Sequence, residues 1–414
     1  MDVFDFDSSV DRRGSLSLKW DSQEIKSICG NGQALPYWVA DMDFTVPPAI
    51  SEALKAQADH AVLGYPKFTN LQETFCAWAR LRHHWQVDKE AVSIAPGMLG
   101  SLALLVESLT KEGDGVIVPI PAYQPFIRMV NQLSRKLVLW PMSYNRESAH
   151  FSLDFTLMEQ LMADTHNRVL LFCSPHNPSG TVFSEEDLAK VAQCAAKNQI
   201  TVLSDEIHAD LAFPESHHIP FNMVAHEQGC VAVTCMAPSK TFNIAGEHFS
   251  VAVFSDHAMA SRFNDRLRAL FLGTGLLSTV AAVAGYQQGY AWLMDLTRHL
   301  VGQVDYIDNY LHAHLPLLRL VKPGASFIGF IDCTGIVAAV ERDAQANPQL
   351  YDPKESPQGG LLSRFFGQRA GIVVNDGSWF GKPYGNFIRF NYGTSRHQVE
   401  TALHQMEQAV LALH

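Results

Sequence analysis

The 414-residue sequence has no apolar run near the roughly 18 residues that a helical membrane span requires, which excludes that class. Its seven cysteines (Cys29, Cys76, Cys173, Cys194, Cys230, Cys235, Cys333) are scattered and contain no Cys-x-x-Cys pair. Neither a disulfide framework nor a zinc cluster is built that way, so reduced core thiols and no metal are expected. A long basic stretch is also missing and the net charge is −11, which argues against a nucleic-acid partner and leaves a small molecule or another protein. The opening "MDVFDFDSSV" lacks a basic segment leading into an apolar one, so the expected location is cytoplasmic. No Gly-x-Gly-x-x-Gly turn follows the first strand-like run, which removes the main sign of a nicotinamide-binding fold.

What is present is an ordinary globular composition, 47% hydrophobic and 18% charged, in a chain long enough for a large and a small unit. Short apolar runs recur, each followed by a loop and a helical pattern. "AVSIAPGMLGSLALLVESL" reads as a strand ending near Ile94, a Pro-Gly break and a helix with apolar spacings of three and four. "GVIVPIPAY", "RVLLFCSPHNPSG", "ITVLSDEIHADL" and "VAVTCMAPSK" each carry their polar residues at the C-terminal end. The pattern predicts an α/β fold, a mostly parallel sheet between helices. The expected division is an N-terminal segment, residues 1–45, packing with the small unit; a large domain, 46–290; and a smaller α+β domain, 291–414.

Open parallel sheets bind ligands beyond the carboxyl ends of their strands, which brings Gly97 to Leu99, Tyr123, Asn177, Asp205 and Lys240 together. Lys240, behind an apolar run and next to Ser239, suits an amine of lowered pKa able to form a Schiff base; taken alone, a lysine reaching to water from a strand end is the favoured reading. Asp205 ends its strand where a carboxylate can hold a pyridine nitrogen protonated. The same stretch offers Glu206, His208 and Asp210, which leaves metal ligation and helix capping as other readings. The Met98 and Leu99 amides open a helix, where a phosphate is welcome.

The ordered set "GYP", "PGMLGSL", "PAYQPF", "CSPHNPSG", "SDEIHADL", "APSKTFNIAG" and "RFNYGTSR" resembles the fold-type I pyridoxal 5'-phosphate (PLP) enzymes of the class I/II aminotransferase superfamily. Within it, "YWVADMDF", His176 in "SPHNP" and "DEIH" resemble the C–S lyase branch, the MalY/PatB-type cystathionine β-lyases. The resemblance implies a PLP-dependent transferase-like fold and β-elimination from a sulfur amino acid. It implies that Lys240 holds PLP covalently, Asp205 pairs with the ring nitrogen, Tyr123 stacks on the ring and Asn177 binds its 3-oxygen. Met98, Leu99 and Ser239 would hold the phosphate, with Tyr65 reaching in from a second subunit of a homodimer, and Arg389 would grip the substrate carboxylate, a task suited to a planar fork. His208 is expected near the cofactor, and Tyr37, Trp38 and Ala40 near the substrate.

Taken singly, these residues have ordinary readings: Tyr123 and Tyr65 as core or interface aromatics, Asn177 as a turn residue, Arg389 as half of an ion pair, His208 as a packed histidine. The pairs His83–His84 and His217–His218 read as surface residues. His248 stands eight residues after Lys240, where many aminotransferases carry arginine, and Glu247 stands where leucine is usual. Two other functions share these residues: a true aminotransferase and a PLP-fold protein with a regulatory role.

Overall fold

The computed structural model describes residues 4–8 and 10–413. The larger sheet has seven strands: β1 (Val92–Ala95), β2 (Gly115–Ile120), β3 (Lys136–Pro141), β4 (Asn167–Cys173), β5 (Thr201–Asp205), β6 (Ala232–Met236) and β7 (Ser250–Phe254). Their spatial order is β1-β7-β6-β5-β4-β2-β3. All run parallel except β7, which is antiparallel to both of its neighbours. Every residue of β2 and β6 is buried, the condition of strands covered on both faces and the reason these runs are continuously apolar.

Helices α1 (Pro48–His60) and α2 (Leu71–His83) precede the sheet. Next, α3 (Met98–Leu109) joins β1 to β2, α4 (Gln124–Gln132) joins β2 to β3, α5 (Glu185–Asn198) lies between β4 and β5, and the four-residue α6 (Pro238–Thr241) follows β6. The start of α5 is set by a capping box, in which Ser184 and Asp187 satisfy each other's backbone amides. The Pro-Gly break ahead of α3 has Gly97 at φ +86°, a region that side chains disfavour.

The C-terminal part begins with the long α7 (Tyr290–His314) and builds a four-stranded antiparallel sheet from β8 (Arg319–Val321), β9 (Ile328–Asp332), β10 (Asn375–Asp376) and β11 (Phe387–Asn391). The N-terminal segment joins this part: Leu35 and Pro36 pair in parallel with Ile372 and Val373. Phe6, Met42 and Phe44 share one core with Leu293, Leu296 and Phe390, while a second core fills the large sheet. The segment is also held by charge, because Asp43 accepts from fully buried Lys19 at 2.7 Å and from Arg12 at 3.0 Å. Among the described residues no helix is long and apolar enough to cross a membrane.

Candidate active site

A cavity of about 340 Å³ opens at the carboxyl ends of the central strands, between the large sheet and the N-terminal segment. Lys240, third residue of α6, lies in its wall and donates from Nζ to the Ala40 carbonyl at 2.5 Å. Burial lowers its pKa to about 8, against a partial pull upward from Asp41. Asp205 lies in the same wall, with Cys173 and Cys235 beside it on the adjacent strands. Burial raises its pKa to about 7, although Oδ1 accepts from the Ile207 amide at 3.0 Å and Lys240 pulls the other way.

The helix α3 presents its first amides, Met98 and Leu99, to this space, and no side chain caps them. Ser239 and Tyr123 line the cavity as well. Asn177 also lines it; its Oδ1 accepts from Arg389 Nη1 at 3.3 Å. His208 contributes a neutral ring, pushed down to about 3 by burial and hydrogen-bonded through Nδ1 to Ser326 Oγ at 2.9 Å. His176 lies outside the main cavity; it pairs with Ser179 Oγ at 2.7 Å and shapes the turn that presents Asn177.

Arg389, on β11, stands one residue behind the cavity. Its guanidinium donates to Asn375 Oδ1 (3.1 and 2.8 Å) and to the Trp38 carbonyl (2.8 Å), and lies over the Phe380 ring at 5.0 Å. It is buried, and among the described residues no carboxylate pairs with it. A buried guanidinium held only by neutral acceptors keeps its charge for an anionic ligand.

Three expectations need correcting. Tyr37 does not reach the cavity: its ring stacks on Phe390 and its hydroxyl donates to the Gln398 carbonyl at 2.8 Å. Trp38 also turns its side chain into the interior, donating to the Lys19 carbonyl, so the segment meets the site through its backbone, at Trp38 O and Ala40 O. His83 and His218 are buried rather than on the surface, paired with Asp210 and Glu206 at 2.7 Å each, while His84 and His217 are exposed. Tyr65 is fully exposed and away from this chain's cavity. Glu247 lines the cavity and takes a hydrogen bond from Ser278 Oγ at 2.7 Å.

The carboxylates and histidine of "SDEIHADL" diverge to separate partners: Glu206 to His218, His208 to Ser326 and Asp210 to His83. Among the described residues no group of His, Cys, Asp or Glu could hold a metal ion. The site's donors favour an organic ligand with an anionic end at the helix terminus and a reactive carbonyl near the amine.

Residues 39–406 match the family described as aminotransferase class I and II. The chain belongs to that family. One relative is cystathionine beta-lyase PatB of Bacillus subtilis, 31% identical over 98% of this chain and 99% of PatB. Aspartate aminotransferase of Pyrococcus horikoshii is 23% identical, over 90% and 89% of the two chains. Among solved structures, cystalysin from Treponema denticola, which contains PLP, superposes with a TM-score of 0.88 at 28% identity, each chain covered in full. The class I/II fold accounts for the large mostly parallel sheet and the smaller antiparallel unit described above.

PLP fits the residues present. The uncapped α3 amides suit its phosphate, the Lys240 amine suits its aldehyde, and a protonated ring nitrogen would return Asp205 to its charged form. The tight approach at the phosphate end agrees, since a Cβ on Gly97 would lie 3.2 Å from His248 Nδ1.

Asn375, Phe380 and Ser326 support Arg389 and His208, yet no motif marks them. They come from loops and short strands far along the chain, and only the fold brings them in.

Proposed function

We propose that the protein is a PLP-dependent carbon–sulfur lyase that cleaves L-cystathionine or a related S-substituted cysteine to a thiol, pyruvate and ammonia. The observation that carries the PLP-dependent chemistry is the pairing, in one cavity, of an amine lowered to about 8 with a buried carboxyl raised to about 7. An amine at about 8 is roughly one-quarter neutral at pH 7.5, against about 0.1% for an ordinary lysine, so it is ready both as nucleophile and as base.

Lys240 would carry PLP, Asp205 would face its ring nitrogen, Tyr123 the ring, Asn177 the 3-oxygen, and Met98, Leu99 and Ser239 the phosphate. When bound, PLP supplies an electron sink for the pair left at Cα. Arg389 receives the substrate α-carboxylate and so orients the Cα–H bond toward Lys240. Once the substrate amine has taken its place on the cofactor, the freed Lys240 Nζ would take the Cα proton, and the C–S bond would break with its electron pair leaving on the thiolate. The released aminoacrylate hydrolyses in water to pyruvate and ammonia. Ala40 O accepts from Lys240 Nζ, and the buried, neutral His208 adds no charge of its own to the cavity.

The closer kinship to PatB than to aspartate aminotransferase supports lyase over transfer chemistry. We also propose a homodimer in which Tyr65 of a second copy completes the phosphate site, supported by the exposure of Val62, Leu63, Tyr65 and Phe271. The division at about residues 45 and 290 and a cytoplasmic setting, with every cysteine free, complete the reading. To test the activity, the PLP-loaded protein is given L-cystathionine without a keto acid, and pyruvate and free thiol are followed together. Equal yields over many turnovers are expected; amine transfer that requires a keto acid, with no thiol released, sinks the proposal.

A further inference from the structure

Behind the cavity lies a buried polar group that the chemistry above leaves unused. Asp210 Oδ1 accepts from Trp78 Nε1 at 3.0 Å and from His83 Nε2 at 2.7 Å, both on α2. Its Oδ2 accepts from Thr241 Oγ1 at 2.7 Å. Arg82 donates to the Asp210 and Ala212 carbonyls, at 2.8–3.1 Å, which fixes the loop carrying the carboxylate. On the far side His218 meets His83 ring to ring at 5.6 Å and donates to Glu206.

Thr241 directly follows Lys240 and closes α6, and it is fully buried. A helix of one turn has almost no stability of its own, so its orientation is set by what it touches. The Thr241 hydroxyl gives it a directional tie to the loop after β5, the strand that ends in Asp205. We propose that Asp210, through Thr241, is a positioning residue that sets the orientation of α6 and so aims Lys240 Nζ at its reacting partners. The assignment rests on Lys240 being the cofactor lysine. Three donors converge on the two carboxylate oxygens; burial opposes the charge, but His83 first, then Arg82 and Thr241, hold Asp210 ionised below the usual range. A fully bonded buried carboxylate is a stiff acceptor, and stiffness is what a positioning device needs.

The test compares holoprotein with Thr241→Val, which keeps shape and loses the hydroxyl, and Thr241→Ser, which keeps the hydroxyl. Thr241→Val is expected to lower kcat about 10- to 100-fold with KM within about twofold, the scale of loss for an ångström-sized misplacement. It is also expected to slow borohydride trapping of PLP on Lys240 and to shift the pH midpoint of the bound-cofactor absorbance. Thr241→Ser is expected to return all three readouts to within about twofold of wild type. Asp210→Asn should reproduce the Thr241→Val pattern. Unchanged kcat, trapping rate and midpoint in Thr241→Val overturn the proposal, as does a lowered melting temperature alone. Trapping needs no substrate, so it answers for Thr241 even if thioethers are not cleaved.

Discussion

Replacing Lys240 with methionine tests the central electrostatic argument. The amine is pushed down to about 8 in the folded chain and stands near 10.5 when unfolded. Below pH 8 both states are protonated, and the folded state carries the cost of a buried ammonium. Between pH 8 and 10.5 the unfolded chain holds a proton that the folded one has lost, so stability rises with pH through that window. A difference of about 2.5 pH units at about 1.4 kcal/mol each is about 3 kcal/mol. Methionine has similar length and no charge. In protein stripped of PLP, Lys240→Met is therefore expected to gain about 3 kcal/mol on wild type at pH 7 relative to their difference at pH 10.5, at about 1.4 kcal/mol per pH unit across the window. The lost hydrogen bond to Ala40 O adds a constant offset and no slope. Asp205, raised to about 7 and pulled down in part by Lys240, titrates below the window, so the slope is read between pH 8.5 and 10. Urea denaturation of both proteins by circular dichroism at pH 7, 8.5 and 10 measures the slope. A difference that stays constant with pH would refute a depressed lysine and with it the main support for Lys240 as nucleophile and base.

Three other outcomes are expected. Arg389→Lys loses the fork that reaches Asn375, Trp38 O and Asn177, and steady-state kinetics should show kcat/KM down about 100-fold, mostly through KM, at about 3 kcal/mol for the charge-assisted bonds lost. Asp43→Asn leaves the buried Lys19 ammonium without its carboxylate and should destabilise the protein by about 3–5 kcal/mol; an unchanged melting profile in calorimetry contradicts that. Gly97→Ala forces a side chain into φ +86° against His248 and should weaken PLP retention about tenfold in equilibrium dialysis, at about 1–2 kcal/mol of strain.

Strand-end chemistry was legible because each apolar run carries its own polar punctuation: Lys240, Asp205 and the Pro-Gly break before Met98 are local features, and parallel topology places such ends side by side. The motif order along the chain was enough to indicate the class I/II fold. The side-chain direction of the N-terminal segment was not legible. "YWVADMDF" names the right stretch, but the register of Leu35 and Pro36 on Ile372 and Val373 sends the Tyr37 and Trp38 rings inward and leaves backbone carbonyls at the site. The histidine pairs show the same limit, because adjacent residues on a helix end or loop point apart, burying His83 and His218 and exposing His84 and His217.

Sequence alone determined the chemical types at the strand ends, since composition and local spacing need no partner to be read. Tertiary structure decided which charges go unpaired, as with Arg389 among neutral acceptors, and how far burial moves Lys240 and Asp205. Those quantities depend on the distance to groups hundreds of residues away and on the exclusion of water, neither of which is a property of a local stretch of chain.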